Sequence, residues 1–346
     1  LPKSITHIAV IRLSAMGDVA MTVPVLRALV KQHPQVRITM VSRPFFKPFF
    51  NGIPNVEFFA VALQDRHKGI LGLFRLYSDL KTLNVDAFAD LHAVLRSKIM
   101  RTIFSANGKP TAGLDKGRHE KRALTRIKNK VFKPLKPTIE RYADVFRSLG
   151  FDVNLSNPEY PPKPQLTADV LAITGLKTGR WIGIAPFAAH DPKQYPIALM
   201  SRVIEGLSRD RQHRIFLFGA GSDEIQVLES LRSDKENVIV MAGKLNFERE
   251  LELIANLDVM LSMDSGNGHM AAMFGVKTVT LWGATHPFAG FAPFNQPEAN
   301  QLVSDRKQYP LLPTSVYGNK SLEGYQDAMS SISPETVIEK ITTLLT

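Results

Sequence analysis

The chain has 346 residues, long enough for two hydrophobic cores, and its 44% hydrophobic and 22% charged residues are ordinary for a globular protein. It contains no cysteine, which excludes disulfides, thiolate zinc sites and cysteine nucleophiles, and no apolar run approaches the ~20 residues that span a bilayer. The net charge of +11 sits in the first half, where residues 1–160 carry 26 Lys and Arg against 12 Asp and Glu, so an anionic partner is expected there: a phosphorylated or carboxylated substrate, a membrane surface or a nucleic acid.

The opening segment LPKSITHIAVIRL has too short an apolar run and no small-residue cleavage site for a signal peptide, and reads as a first strand of a cytoplasmic enzyme. Strands are predicted near 7–13, 37–42, 56–61 and 86–91, with helical patterns between them. Such alternation predicts a parallel sheet covered by helices on both faces. After the first strand comes Arg12-Leu13-Ser14-Ala15-Met16-Gly17-Asp18, and Pro24 is tolerated only in a first helical turn. That proline moves the natural N-cap to Thr22 and leaves Asp18 in the loop ahead of it, its carboxylate available for catalysis rather than capping.

Thirteen basic residues lie between Arg96 and Lys136, against only Asp115 and Glu120. They are either a solvated helix face or an anion-binding surface. The stretch 156–164, SNPEYPPKP, has four prolines in nine residues and predicts an interdomain linker, giving domains of 1–160 and 161–346.

Beyond the linker, strands are predicted near 181–187, 214–219, 237–242, 258–263 and 277–283, with helices near 197–209, 222–233 and 247–257. Lys193 falls at the carboxyl edge of this second sheet, just before a helix, where an ammonium group could neutralise a diphosphate; an exposed surface lysine is the alternative. In the turn Gly219-Ala220-Gly221, the following Asp223 and Glu224 offer acceptors for ribose hydroxyls or first-turn acids for the helix dipole. The most informative stretch runs from the apolar 258–263 into Asp264-Ser265-Gly266-Asn267-Gly268-His269. Strand, glycine turn and helix N-terminus in succession predict a phosphate or pyrophosphate site held by free N–H groups, with close backbone approach at the glycines and His269 beside it. Ser333-Pro334-Glu335 opens a C-terminal helix.

No G-x-S-x-G elbow, Walker A loop, H-E-x-x-H or D-x-D occurs, and neither the Gly219–Gly221 turn nor the Gly17 loop supplies the third glycine of G-x-G-x-x-G. A diphosphate held by backbone N–H groups and Lys193, with no metal, is therefore favoured over a metal-bridged one.

Four pieces, IAVIRLSAMGDVAMTVPVLRAL at 8–29, DLHAVLRSK at 90–98, AGKLNFERELELIANLDVMLSMDSGNGHMAA at 242–272 and VKTVTLWGAT at 276–285, together resemble bacterial glycosyltransferase family 9, the ADP-heptose:lipopolysaccharide heptosyltransferases. The resemblance covers nearly the whole chain. It implies an α/β GT-B fold, two Rossmann-like doubly wound domains facing across a cleft, with the acceptor held by the first and the nucleotide-sugar by the second. It implies Asp18 as general base, Lys193 on the donor phosphates, and Asp264, Ser265, Gly266 and Asn267 lining the diphosphate site, with Gly268 and His269 in the same motif. The reaction implied is inverting transfer of heptose from ADP-heptose to the inner core of lipopolysaccharide, with the nucleotide-sugar as substrate and no cofactor. The basic stretch fits an anionic acceptor, with Ser14, Arg96, Arg118, Lys121 and Arg122 as candidate contacts, and the same charge suits peripheral attachment at the inner face of the inner membrane. A monomer is expected.

Ala188 and Ala189 stand where that family often places phosphate-binding hydroxyls, and Gly221 where a ribose-binding acid can sit. The alternatives are accordingly a transferase or epimerase using a different nucleotide-sugar, or a family member kept as a scaffold. A nucleic-acid-binding protein is suggested by the charge alone, but the cluster lacks interleaved aromatics.

Overall fold

The computed structural model describes residues 5–346, so the first four residues of the opening segment lie outside it. The chain divides into two compact units, one of residues 1–117 and 138–161, the other of residues 118–137 and 162–346. The second crossing from the first unit to the second falls between Pro161 and Pro162, and residues 151–167 form neither helix nor strand. The segment 118–137, counted from sequence with the first half, packs with the second unit instead. Its helix Arg118–Thr125 buries Leu124 completely.

The first unit is a five-stranded parallel sheet: β1 His7–Ile11, β2 Arg37–Ser42, β3 Val56–Ala60, β4 Ala87–Asp90 and β5 Thr111–Gly113, in the order β3-β2-β1-β4-β5. β1 is buried along its whole length, as the apolar run HIAVI requires of a central parallel strand covered on both faces. Ala9, Ile11, Val41 and Phe88 from the sheet pack with Leu73, Leu76, Leu80, Met100 and Phe104 from two helices. The order reverses between β1 and β4, which pair in register from Ile8 opposite Ala87 to Ile11 opposite Asp90. That reversal opens a crevice beyond the carboxyl ends of these two strands.

The second unit is a six-stranded parallel sheet: β6 Arg180–Ala185, β7 His213–Leu217, β8 Val238–Val240, β9 Val259–Met263, β10 Lys277–Trp282 and β11 Gln301–Val303, in the order β11-β10-β9-β6-β7-β8. Here the reversal lies between β6 and β9. The helices Ile197–Ser208, Ser222–Arg232 and Phe247–Ala255 follow β6, β7 and β8 as expected. In the C-terminal helix Pro334–Leu345, the Ser333 hydroxyl accepts the Thr336 N–H at 3.1 Å. Of the three three-residue strands, β8 falls within the strand expected near 237–242, whereas β5 and β11 have no counterpart among the expected strands.

Candidate functional site

In the first unit the side chains after β1 meet those after β4. Asp90, fully buried at the end of β4, accepts the backbone N–H groups of His92 and Ala93 at 2.9 and 2.8 Å, and Ala93 takes a left-handed conformation at φ 50°. The turn so formed brings His92 Nε2 to 3.4 Å from the Ser14 hydroxyl. Burial, reinforced by the charge of Arg12, depresses the His92 pKa to about 3, so the ring is neutral at physiological pH. Its Nδ1 has no hydrogen-bond partner among the described residues.

Arg12 is itself buried and spans the crevice: Nη1 donates to the Leu91 carbonyl at 2.8 Å, and Nη2 is ion-paired with Asp18 Oδ2. Asp18 remains 27% exposed at its side chain, so the carboxylate is open to solvent. Its other oxygen, Oδ1, lies 3.4 Å from the hydroxyl of Tyr142, a fully buried phenol whose pKa burial pushes up. One carboxylate oxygen is thus oriented by a guanidinium and the other faces a neutral hydroxyl donor.

The sequence expectation for Asp18 needs one correction. Asp18 does not lie in a loop but in a short helix, Met16–Ala20, where Oδ2 also faces the Ala15 N–H at 3.4 Å. Nor does Thr22 cap the next helix, Thr22–Gln32; its hydroxyl donates to the Val19 carbonyl at 2.7 Å. The physical reason is that the backbone before Thr22 is already helical, so the first N–H groups of the second helix have carbonyls of the first turn to use.

In the second unit, Lys193 closes a turn, Asp191–Lys193, after β6, and Asp264 follows β9. Lys193 Nζ lies 3.1 Å from Asp264 Oδ2, with side-chain exposures of 13% and 9%. Ser265 caps the helix Gly266–Met273 through an extended backbone and not through its side chain, and its buried hydroxyl has no hydrogen-bond partner among the described residues. The leading N–H groups of that helix, from Gly266, Asn267 and Gly268, have no intrahelical acceptor. Asp264, the partner of Lys193, directly precedes this helix, whose free leading N–H groups can donate to an anion.

Gly268 serves packing rather than ligand approach. It is buried, and a Cβ there would stand 2.5 Å from Ser262 Oγ and 3.4 Å from Thr278 Cγ2. His269, also buried, lies one residue further into the helix.

Two backbone connections hold Lys193, and neither was visible in the sequence. The Pro192 carbonyl accepts the Ala284 N–H at 2.9 Å, and the Ala284 carbonyl accepts the N–H groups of Thr314 and Ser315 at 2.9 and 3.1 Å. That loop continues to Gly318 at φ 76°, where a Cβ would fall 2.1 Å from Lys193 Cδ. The lysine stem therefore lies directly on a glycine.

Glu224 and Asp223 sit in the first turn of the helix Ser222–Arg232. Glu224 Oε2 accepts the Ala220 N–H at 2.8 Å, closing the glycine turn, and Asp223 Oδ1 accepts the Ser222 hydroxyl at 3.0 Å. Phe187 packs against Gly219, bringing the loop after β6 alongside this turn.

The candidate acceptor contacts divide between the units. Ser14 and Arg96 belong to the first, whereas Arg118, Lys121 and Arg122 belong to the second, where they line a cleft of ≈ 460 Å³ with Ser315, Asn319 and Lys320. Lys121 is buried, its ammonium 4.0 Å above the Phe291 ring. Lys130 fixes this arm by donating to the Leu124 and Pro313 carbonyls at 2.9 and 2.7 Å. Among the described residues no group of three His, Cys, Asp or Glu side chains is placed to hold a metal ion.

The model of glycosyltransferase family 9 (heptosyltransferase) matches residues 73–317. The lipopolysaccharide core heptosyltransferase OpsX of Haemophilus influenzae is 24% identical over 306 residues, 85% of this chain and 82% of that protein. Among solved structures, a family 9 glycosyl transferase from Veillonella parvula superposes with a TM-score of 0.76 at 21% identity, covering 100% of this chain and 98% of its own. The ADP-heptose lps heptosyltransferase II of E. coli does so with a TM-score of 0.68 at 21% identity, covering 98% of each. These likenesses carry the fold, which is GT-B, two Rossmann-like units.

Proposed function

The chain belongs to glycosyltransferase family 9, the heptosyltransferases, and from that premise we propose that it transfers heptose from ADP-heptose to the anionic inner core of lipopolysaccharide, with inversion at the anomeric carbon. The observation that carries the donor half of this reading is the Lys193–Asp264 pair beside the helix N-terminus at Gly266. A departing diphosphate gains negative charge in the transition state, and preorganised N–H groups with a fixed ammonium act where that charge develops. Asp264 keeps the lysine aimed, and the Ser265 hydroxyl supplies a further donor.

The acceptor half rests on Asp18. In the proposed reaction Oδ1 takes the proton of the acceptor hydroxyl as that oxygen attacks the anomeric carbon, which passes through an oxocarbenium-like state while ADP leaves from the opposite face. Arg12 and Tyr142 position the carboxylate. No covalent intermediate is required, and the donor set around Lys193 serves the diphosphate without a metal. The cleft lined by Arg118, Lys121 and Arg122 supports an acceptor bearing carboxylates or phosphates, and Arg96 and Ser14 offer contacts from the first unit.

No helix among the described residues is long and apolar enough to cross a membrane. We place the enzyme in the cytoplasm, as a monomer in peripheral contact with the inner membrane where an amphiphilic acceptor would be presented. Ala188 and Ala189 leave the phosphate contacts lean and Gly221 the ribose contact, so donor identity is the property to test first. Calorimetric titration with ADP, UDP, GDP and ADP-heptose in EDTA, for wild type and Lys193→Ala, should give preference for ADP and ADP-heptose with about 10- to 100-fold weaker binding in the variant. Preference for another base would keep the fold and change the sugar; absence of nucleotide binding would overturn the reading.

A further inference from the structure

We propose that the first unit carries a docking surface for an anionic lipid bilayer, built on Ile70, Leu71 and Phe74 and rimmed by lysine and arginine. The inference rests on, and specifies, the peripheral membrane contact proposed above. The helix Gly69–Thr82 buries Leu73, Leu76 and Leu80 in the core, yet at its N-terminal end Ile70, Leu71 and Phe74 are 67%, 74% and 53% exposed. Ile70 and Phe74 stand four residues apart and Leu71 and Phe74 three, so the three side chains share one face. Globular proteins seldom expose such a group of large apolar side chains without a partner for it.

The segment is held rigidly. His67, buried under the helix, accepts the Ala62 N–H at Nδ1 (3.1 Å) and meets Asp79 at Nε2 (3.0 Å), while Arg66 Nε donates to Asp79 at 2.8 Å. Gly72 permits the close return, because a Cβ there would lie 2.2 Å from the His67 carbonyl carbon. The apolar end of the helix is thus presented by a fixed turn.

Charge identifies the occupant. Lys68 and Arg75 are exposed on either side of the three apolar residues. At the carboxyl end of the neighbouring strand β2, Phe45 is 54% exposed between exposed Arg43 and Lys47. Beyond β4 on the same sheet edge, Leu95 is 77% exposed and is followed by Arg96 and Lys98. Apolar side chains interleaved with cations are the pattern of an interfacial surface, the former entering the headgroup region and the latter meeting anionic lipid. A second copy of this chain is disfavoured, because a two-fold contact on this face would set like charges against one another.

The test is flotation of the full chain with vesicles of phosphatidylethanolamine and phosphatidylglycerol, compared with phosphatidylcholine alone and containing no acceptor. Wild type should bind the anionic vesicles and not the neutral ones. The Ile70→Ser/Leu71→Ser/Phe74→Ser variant should lose more than about tenfold in partitioning with an unchanged thermal midpoint. The Lys68→Glu/Arg75→Glu variant, which leaves the apolar face intact and serves if the first does not fold, should lose about fivefold per charge and flatten the salt dependence. Unchanged partitioning of both variants, equal binding of wild type to neutral vesicles, or an apolar face that proves to hold a dimer in sedimentation would each overturn the proposal. Nucleotide binding and transfer to a soluble, de-acylated acceptor should be unaffected by these substitutions. Vesicle binding lost by wild type with transfer intact would sink the docking surface alone, whereas vesicle binding without any transfer would sink the transferase reading alone.

Discussion

Lys193 and Asp264 stand 3.1 Å apart at the ends of β6 and β9, neighbours in the sheet although the chain builds two further strands between them. The sheet order reverses between those two strands, so the pair marks the crevice in which doubly wound sheets bind ligands. The same relationship recurs in the first unit, where Ser14 after β1 meets His92 after β4 across the other reversal. Each unit's candidate site therefore arises from its own sheet topology.

Removing one partner of the Lys193–Asp264 pair should be worse for stability than removing both. Asp264→Asn leaves a largely buried ammonium without its counter-charge and should cost on the order of 3 kcal/mol, whereas Lys193→Met/Asp264→Leu should recover most of that loss. Urea unfolding of the two variants checks this. Equal destabilisation would show that the pair is not coupled.

Gly318→Ala should act on Lys193 as well as on its own backbone. The added methyl falls 2.1 Å from Lys193 Cδ, and φ 76° strains any L side chain, so about 1–2 kcal/mol of stability should be lost. ADP affinity should fall with it. In a Lys193→Ala background the same substitution should leave ADP affinity unchanged, because no stem remains to be displaced; calorimetry on the four proteins measures the coupling.

Tyr142→Phe keeps the ring under Arg12, 5.8 Å from its guanidinium carbon, and removes only the hydroxyl facing Asp18. Turnover should fall about two- to tenfold with ADP affinity unaltered. A drop as large as that expected for loss of the carboxylate itself would assign the phenol a direct chemical role.

The neutral, buried His92 links stability to pH. Its pKa in the folded chain is about 3, below the unfolded value of about 6.5, so between these limits the unfolded chain binds the extra proton. Stability from this group is complete above pH ~6.5 and is lost progressively as pH falls towards 3. His286, depressed to about 4 chiefly by burial, contributes with the same sign in the second unit. The unfolding midpoint of His92→Gln should consequently decline less than that of wild type between pH 7 and pH 4, as followed by urea titration.

The local parts of this structure are legible in the sequence because local rules govern them. Apolar runs of strand length place β1, β2, β3 and the central strands of the second sheet, and Ser333-Pro334 marks the last helix by its capping chemistry. The Asp264–His269 turn is read from the order strand, glycine, helix. What cannot be read is which strands become neighbours, so neither the Lys193–Asp264 pair nor the approach of Tyr142 to Asp18 has a sequence signal. The allocation of residues 118–137 to the second unit is hidden for the same reason: it depends on contacts distant in sequence, such as that of Lys130 with the Pro313 carbonyl. Thr22 misleads because Thr commonly caps, and only the helical turn ahead of it redirects its hydroxyl to the Val19 carbonyl.

In the proposed reaction Asp18 is the general base of heptosyl transfer. Its most direct test is steady-state transfer from ADP-heptose to a soluble, de-acylated inner-core acceptor by wild type and Asp18→Asn, with ADP affinity measured alongside. Turnover should fall on the order of 10²–10⁴-fold while ADP affinity is unchanged, since the substitution removes the proton acceptor and leaves the donor site in the other unit untouched. Turnover within a few-fold of wild type would contradict the assignment.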